Sequence, residues 1–165
     1  LDLYREFMGL VKEYDISPAG LKLEITESAV IMDVPKQAAL IEKLQAEGFV
    51  VEMDDFGSGY SSLNTLKDIP VDILKLDMKF MEKSKNTKRS ADIVQMVVAM
   101  ADKLGMPVIA EGVETKEQAD FLGRIGCDII QGYYYAKPMS MEEFEQLLNK
   151  YPYRDIVQKG IGNDI

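Results

Sequence analysis

FVVEMDDFGSGY, residues 49–60, is the stretch on which the fold turns. Its first five residues are mostly β-branched or aromatic and read as a strand over 49–53. The run then meets two adjacent acids, Asp54 and Asp55, and a turn rich in glycine at Gly57 and Gly59. A largely apolar strand that ends abruptly in acids is what a sheet covered on both faces produces, with its polar groups gathered at one end.

The same grammar repeats on either side. Strands are expected at 21–25 (LKLEI), 72–76 (DILKL), 107–110 (PVIA) and 128–131 (DIIQ). Amphipathic stretches lie between them. Residues 35–47 place Ala38, Ile41, Leu44 and Gln45 at helical spacing, with Pro35 at the first position and Gly48 past the end. Residues 60–67 read as a short helix or turn. Residues 88–104 carry the stripe Ile93, Val94, Val97, Val98, Met100, Ala101 and Leu104, which stops at Gly105. Thr115 with Gln118 forms a capping-box pattern for a helix over 115–125, ending before Gly126; Ser140 with Glu143 repeats it for 140–149. A first helix is expected near 3–14.

One helix followed by five strand–helix units predicts an α/β fold with a parallel sheet. Two architectures fit: a five-stranded doubly wound sheet, or part of a (β/α)8 barrel. A whole barrel takes about 250 residues, so these 165 residues make about five-eighths of one. The domain is expected over 1–150, and residues 151–165, with weak periodicity, as a tail or linker. The start at Leu1 reads as that of a fragment or an edited chain.

Composition narrows the chemistry. Hydrophobic residues make up 47% and charged residues 28%, which is ordinary for a globular domain. The 28 acids outnumber the 19 basic residues, for a net charge of −9, which argues against a nucleic-acid polymer or an anionic membrane as partner. The absence of histidine excludes Ser-His-Asp and Cys-His catalysis and His-ligated metals. The single Cys127 excludes an intrachain disulfide and a cysteine-rich zinc site, and reads as buried and inert. No apolar run approaches the ~20 residues that span a bilayer.

Every expected strand carries polar residues within it or just beyond its C-terminal end: Glu24 and then Glu27, Asp54 with Asp55, Lys75 and Asp77, Glu111 and then Glu114, and Gln131. In parallel α/β folds those ends converge on one face, and that face carries the site. Converging carboxylates without histidine suit a hard cation, Mg²⁺, Mn²⁺ or Ca²⁺. Four of them exceed what one Mg²⁺ uses, so two ions are expected, with one Asp able to bridge them for a phosphoryl displacement. Lys75 then sits among anions, orienting the attacking water or neutralising charge.

Blander readings compete at each position. A lone acid at a strand end is more often a helix cap or a solvated loop residue, and Asp54-Asp55 before a Phe-Gly pair can be only a turn. Five polar strand ends together are harder to dismiss. Gly57-Ser58-Gly59 is a weak phosphate-loop signal, the methionines read as core filler, and Tyr133, Tyr134 and Tyr135 can either stack a base or wall the core.

Taken in order, LEITES (23–28), DDFGSGYSSL (54–63), ILKLD (73–77), VIAEGVET (108–115) and QGYYYAKP (131–138) resemble the EAL-domain phosphodiesterases, which hydrolyse cyclic di-GMP to linear pGpG. The resemblance covers about residues 1–150. It implies a modified (β/α)8 TIM-type barrel whose last five βα units are present. It also implies two Mg²⁺ or Mn²⁺ ions: Glu24 on the first, Asp54 bridging, Asp55 and Glu111 on the second. Lys75 is then implied to contact the catalytic water, with Gln131 positioning it. Asp77 supports the second metal or the substrate, Glu27 anchors the loop after Asp55, and Glu114 supports Lys75 or that loop. The 131–138 segment, with Tyr135 and Pro138, lines a guanine pocket. Ser58 stands where the family usually has Thr.

The chain departs from the family pattern in lacking the Glu-Ala-Leu segment with its metal-binding Glu and nearby Arg, and the Asn of the following strand; the stretch between Tyr4 and Phe7 is also shorter. These departures lead to the expectation that this exact chain is impaired as an enzyme. A cyclic di-GMP sensor without catalysis is the alternative, and a receiver-like domain the third reading. The resemblance further implies a cytoplasmic domain, on its own or tethered to a membrane protein, a diguanylate-cyclase-like or sensory domain in the same parent chain, and a homodimer.

Overall fold

The computed structural model describes residues 2–57, 63–78 and 87–150. The first helix, α1, spans Leu3–Glu13 and is capped by the Asp2 side chain, which accepts from Arg5 N. A 3-10 turn at Pro18–Gly20 leads into strand β1, Lys22–Thr26. Helix α2, Glu27–Met32, follows without a connecting loop. Helix α3, Val34–Ala46, is capped by Asp33 and places Pro35 second in the helix instead of first. Strand β2, Val50–Phe56, is followed by α4, Leu63–Asp68, and strand β3, Ile73–Asp77. The rest runs α5, Thr87–Lys103; β4, Val108–Glu111; α6, Lys116–Arg124; β5, Ile129–Gln131; and α7, Met141–Lys150.

All five strands are parallel, and their order in the sheet is their order in the chain. A doubly wound sheet reverses its order at a switch point; this sheet does not. Sequential parallel strands are what consecutive units of a (β/α)8 barrel give, and the doubly wound alternative is removed.

Both expected capping boxes form. The Gln118 side chain accepts from Thr115 N at 3.0 Å while Thr115 Oγ1 accepts from Gln118 N at 3.3 Å, and Ser140 and Glu143 make the same exchange. Gln45, placed on the apolar stripe of α3, donates from Nε2 to Pro70 O at 2.6 Å, so this polar member of the stripe ties α3 to the segment before β3. The methionines divide: Met53 and Met78 are core, but Met32, Met96 and Met141 are exposed. The stripe on α5 also splits. Val94, Val98 and Ala101 are buried; Ile93 and Leu104 face solvent.

The two faces of the sheet differ. Val51, Met53, Leu74, Leu76 and Ala110 point to the helix side and form the core with Ile41, Leu44, Val94, Val98 and Leu122. The alternate residues share the opposite face by register: Lys22, Glu24 and Thr26 on β1, Glu52 and Asp54 on β2, Lys75 and Asp77 on β3, Ile109 and Glu111 on β4, Ile129 and Gln131 on β5. In a closed barrel this face is the interior. On this face Ile129 is 47% exposed. Among the described residues, no helix is long and apolar enough to cross a membrane.

Candidate functional site

The acids of the opening stretch lie inside β2, not beyond it, because the strand continues through a bulge. Pairing with β3 shifts register between Met53 and Phe56, and Asp55 within the shift has φ +57°. A left-handed residue at a bulge bends the strand and re-aims its side chains. Asp54 keeps its pairing with Thr26 and stays on the inner face; Asp55 is exposed. A positive φ costs a non-glycine residue stability, least for Asp and Asn, and such strain collects at functional positions.

Lys75 stands at the centre. It is 5% exposed, and its ammonium lies 2.5 Å from Glu24 Oε1, 2.9 Å from Glu111 Oε1 and 3.3 Å from Asp54 Oδ1. Four strands, β1 to β4, thus meet at one nitrogen. Burial alone pulls the ammonium down, but hydrogen bonds to Glu24 and Glu111, the Glu111 charge and the closeness of Asp54 outweigh it and hold Lys75 above the usual lysine range. Burial also pushes the Glu111 carboxyl up; Lys75 draws it back, and Asp54 adds to the rise.

The four groups do not balance: three carboxylates against one ammonium leave two negative charges. Asp54 Oδ1 is buried without an aligned hydrogen bond, although Lys75 is within ion-pair reach. An all-oxygen, anionic donor set whose charge one ammonium does not balance fits a hard divalent cation. Among the described residues no group of three or more acids is arranged to hold a metal ion as it stands; the Lys75 ammonium lies among Glu24, Asp54 and Glu111.

The remaining candidates divide between this cluster and its surroundings. Asp77 and Gln131 flank Glu111 in register on β3 and β5. Glu27 is the first residue of α2; its carboxylate is buried, and Oε2 accepts from Gly57 N at 3.3 Å, directly after β2. Glu114 is exposed, and its N–H donates to the Gln118 side chain in the cap of α6, away from the ion pairs of Lys75. Tyr135 is half-buried and packs edge-on to Tyr134 at 5.0 Å; Tyr133 and Pro138 are exposed. The tyrosines line a groove of about 470 Å³ with Lys137, Glu143 and Leu147. Ser58, residues 60–62 of the expected short helix and the 151–165 tail lie outside the described residues.

Sequence reasoning passed over Glu52, a 3% exposed carboxylate in the middle of β2. Its signal was legible: an acid inside an apolar strand needs a partner. Helix α2 was also missed, since LEITES reads as strand until Glu27 starts a turn.

Comparison with known proteins agrees with the motif pattern. The family model for the EAL domain matches residues 2–138. The cyclic di-GMP phosphodiesterase NbdA of Pseudomonas aeruginosa is 36% identical over 149 residues, 90% of this chain and 19% of that protein. The solved MucR phosphodiesterase of the same organism, in complex with c-di-GMP, superposes with a TM-score of 0.79 at 37% identity, over 86% of this chain and 57% of that one. A Klebsiella pneumoniae BlrP1 structure with calcium and cyclic di-GMP gives a TM-score of 0.73 at 30% identity, over 80% of this chain and 34% of that one. The chain spans about a fifth of the length of NbdA.

Proposed function

The chain belongs to the EAL domain family, and from that premise we propose that it is the metal-binding part of a phosphodiesterase that hydrolyses cyclic di-GMP to linear pGpG. The convergence of Glu24, Asp54 and Glu111 on Lys75 carries this reading. It is supported by the cyclic di-GMP phosphodiesterases among the relatives.

Glu24 and Asp54 would hold a first divalent cation, and Asp54, Asp55 and Glu111 a second, with Asp77, the register partner of Glu111, supporting that set. When bound, Mg²⁺ or Mn²⁺ would supply Lewis acidity toward the phosphate and a more acidic water. Lys75, held protonated by its neighbours, offsets the charge of the acids and would donate a hydrogen bond to the attacking water. Gln131, in register with Glu111, would help to position the water. Glu27 fixes the start of the loop after β2 through Gly57 N. Tyr135 and Pro138 offer an apolar wall to a guanine. The domain is proposed to act in the cytoplasm, alongside cyclase-like or sensory domains of a longer parent chain, with residues 151–165 as linker.

The test is to incubate the full protein with cyclic di-GMP and Mg²⁺ or Mn²⁺ and to follow pGpG by chromatography. Lys75→Ala is expected to lower turnover by about 100-fold or more while the dissociation constant for the dinucleotide changes little. Absence of hydrolysis by the unaltered protein with either cation refutes the enzyme reading.

A further inference from the structure

Glu52 has no place in the chemistry above, yet it is among the most expensive side chains in the sheet. It is 3% exposed, in the middle of β2, and its Oε1 has no aligned hydrogen bond. Its described partner is Lys22, whose Nζ lies 3.0 Å from that oxygen and whose side chain remains 54% exposed. A half-buried pair of this kind returns little stability for the desolvation of the carboxylate, so stability alone is a poor reason for it.

Position supplies a better one. Glu52 is the register partner of Glu24 on the neighbouring strand, and Lys22 precedes Glu24 by two residues on the same face. Strand geometry puts Lys22 and Glu24 about 7 Å apart along β1, within reach of a lysine side chain. Left to itself, the Lys22 ammonium is a mobile cation beside a proposed metal ligand. Glu52 draws it sideways onto β2 and cancels its charge.

We propose that Glu52 is a positioning residue for the cation site: by holding Lys22 it keeps a competing positive charge off Glu24. This rests on the two-cation reading of the carboxylate cluster. Glu52 touches neither substrate nor cation and acts only through Lys22.

The experiment measures Mn²⁺ affinity of the full protein by calorimetry, with no substrate present, for the unaltered protein, Glu52→Gln, Lys22→Met and the double variant. Glu52→Gln frees Lys22 and is expected to weaken Mn²⁺ binding about tenfold, the size of one uncompensated charge at this range in a partly solvated site. Lys22→Met, at an exposed side chain that tolerates change, is expected to bind Mn²⁺ at least as tightly as the unaltered protein. The double variant is expected to return to within about threefold of it, which loss of packing at Glu52 cannot produce. Unchanged affinity in Glu52→Gln, weakened affinity in Lys22→Met, or a double variant as weak as Glu52→Gln overturns the proposal while leaving the cation site intact. Absence of Mn²⁺ binding by the unaltered protein overturns both.

Discussion

The Lys75 ammonium sits 2.9 Å from Glu111 Oε1, although the sheet register aligns Lys75 with Ile109 and places Glu111 two residues further on. The lysine therefore reaches along the sheet toward the C-terminal strand ends, where Asp54 also lies. In doing so it acts as a resident cation, cross-linking strands that otherwise face one another with like charges.

Removing that cation leaves three carboxylates unbalanced. Lys75→Met, which keeps the side-chain volume, is expected to lower stability without added metal by about 3 kcal/mol, the cost of breaking a buried ion pair from one side. Saturating Mg²⁺ or Mn²⁺ is expected to restore much of the loss, since a ligand that binds only the folded state stabilises it. Urea midpoints with cation and with chelator check both parts. A variant as stable as the parent in chelator refutes the role given to the lysine.

Asp55 pays for its place in the bulge with a left-handed backbone. Asp55→Gly is expected to be neutral or to stabilise by up to about 1 kcal/mol, and to weaken Mn²⁺ binding in calorimetry. A loss of stability beyond 1 kcal/mol shows that the Asp55 side chain holds the bulge.

Gly132 follows β5 where the chain passes Val113. A Cβ there collides with the Val113 backbone, whose N–H and C=O are already committed to Gln131 O at 3.2 Å and Tyr134 N at 3.0 Å. Gly132→Ala is expected to cost about 1–3 kcal/mol by overpacking. Gly123→Ala, inside α6 with open space around it, is expected to gain up to about 1 kcal/mol through helix propensity. Thermal melts of the two variants should move in opposite directions.

Cys127 is 1% exposed, and burial pushes its thiol above the ordinary 9.0. The folded state thus keeps the proton that the unfolded state releases. The stability this contributes is complete below the unfolded thiol value and is lost as pH rises through the folded one. At pH 8 the native protein is expected to react with an aromatic disulfide reagent far more slowly than a free thiol, and to give one equivalent promptly in urea. Rapid reaction without denaturant contradicts the packing.

Most of the architecture is legible in the one-dimensional pattern. Alternating strand and helix periodicities mark the βα units from LKLEI at 21–25 onward, because a parallel sheet needs a covering helix after each strand. Thr115 with Gln118 and Ser140 with Glu143 announce their helix starts, because capping is local chemistry. The acids at the strand ends are equally plain, and their order within LEITES, DDFGSGYSSL and VIAEGVET is enough to point to the family. Pairing is different, because it depends on which strands become neighbours. Only the folded sheet set the order β1 to β5 that separates a barrel segment from a doubly wound sheet, drew Lys75 between Glu24, Asp54 and Glu111, and put Asp55 at a bulge inside β2. Only the register between β1 and β2 brought Lys22, Glu24 and Glu52 to one face. Sequence periodicity tells which face of its own strand a residue takes; which charges it then meets is fixed by hydrogen-bond register between strands dozens of residues apart, and no local propensity encodes that.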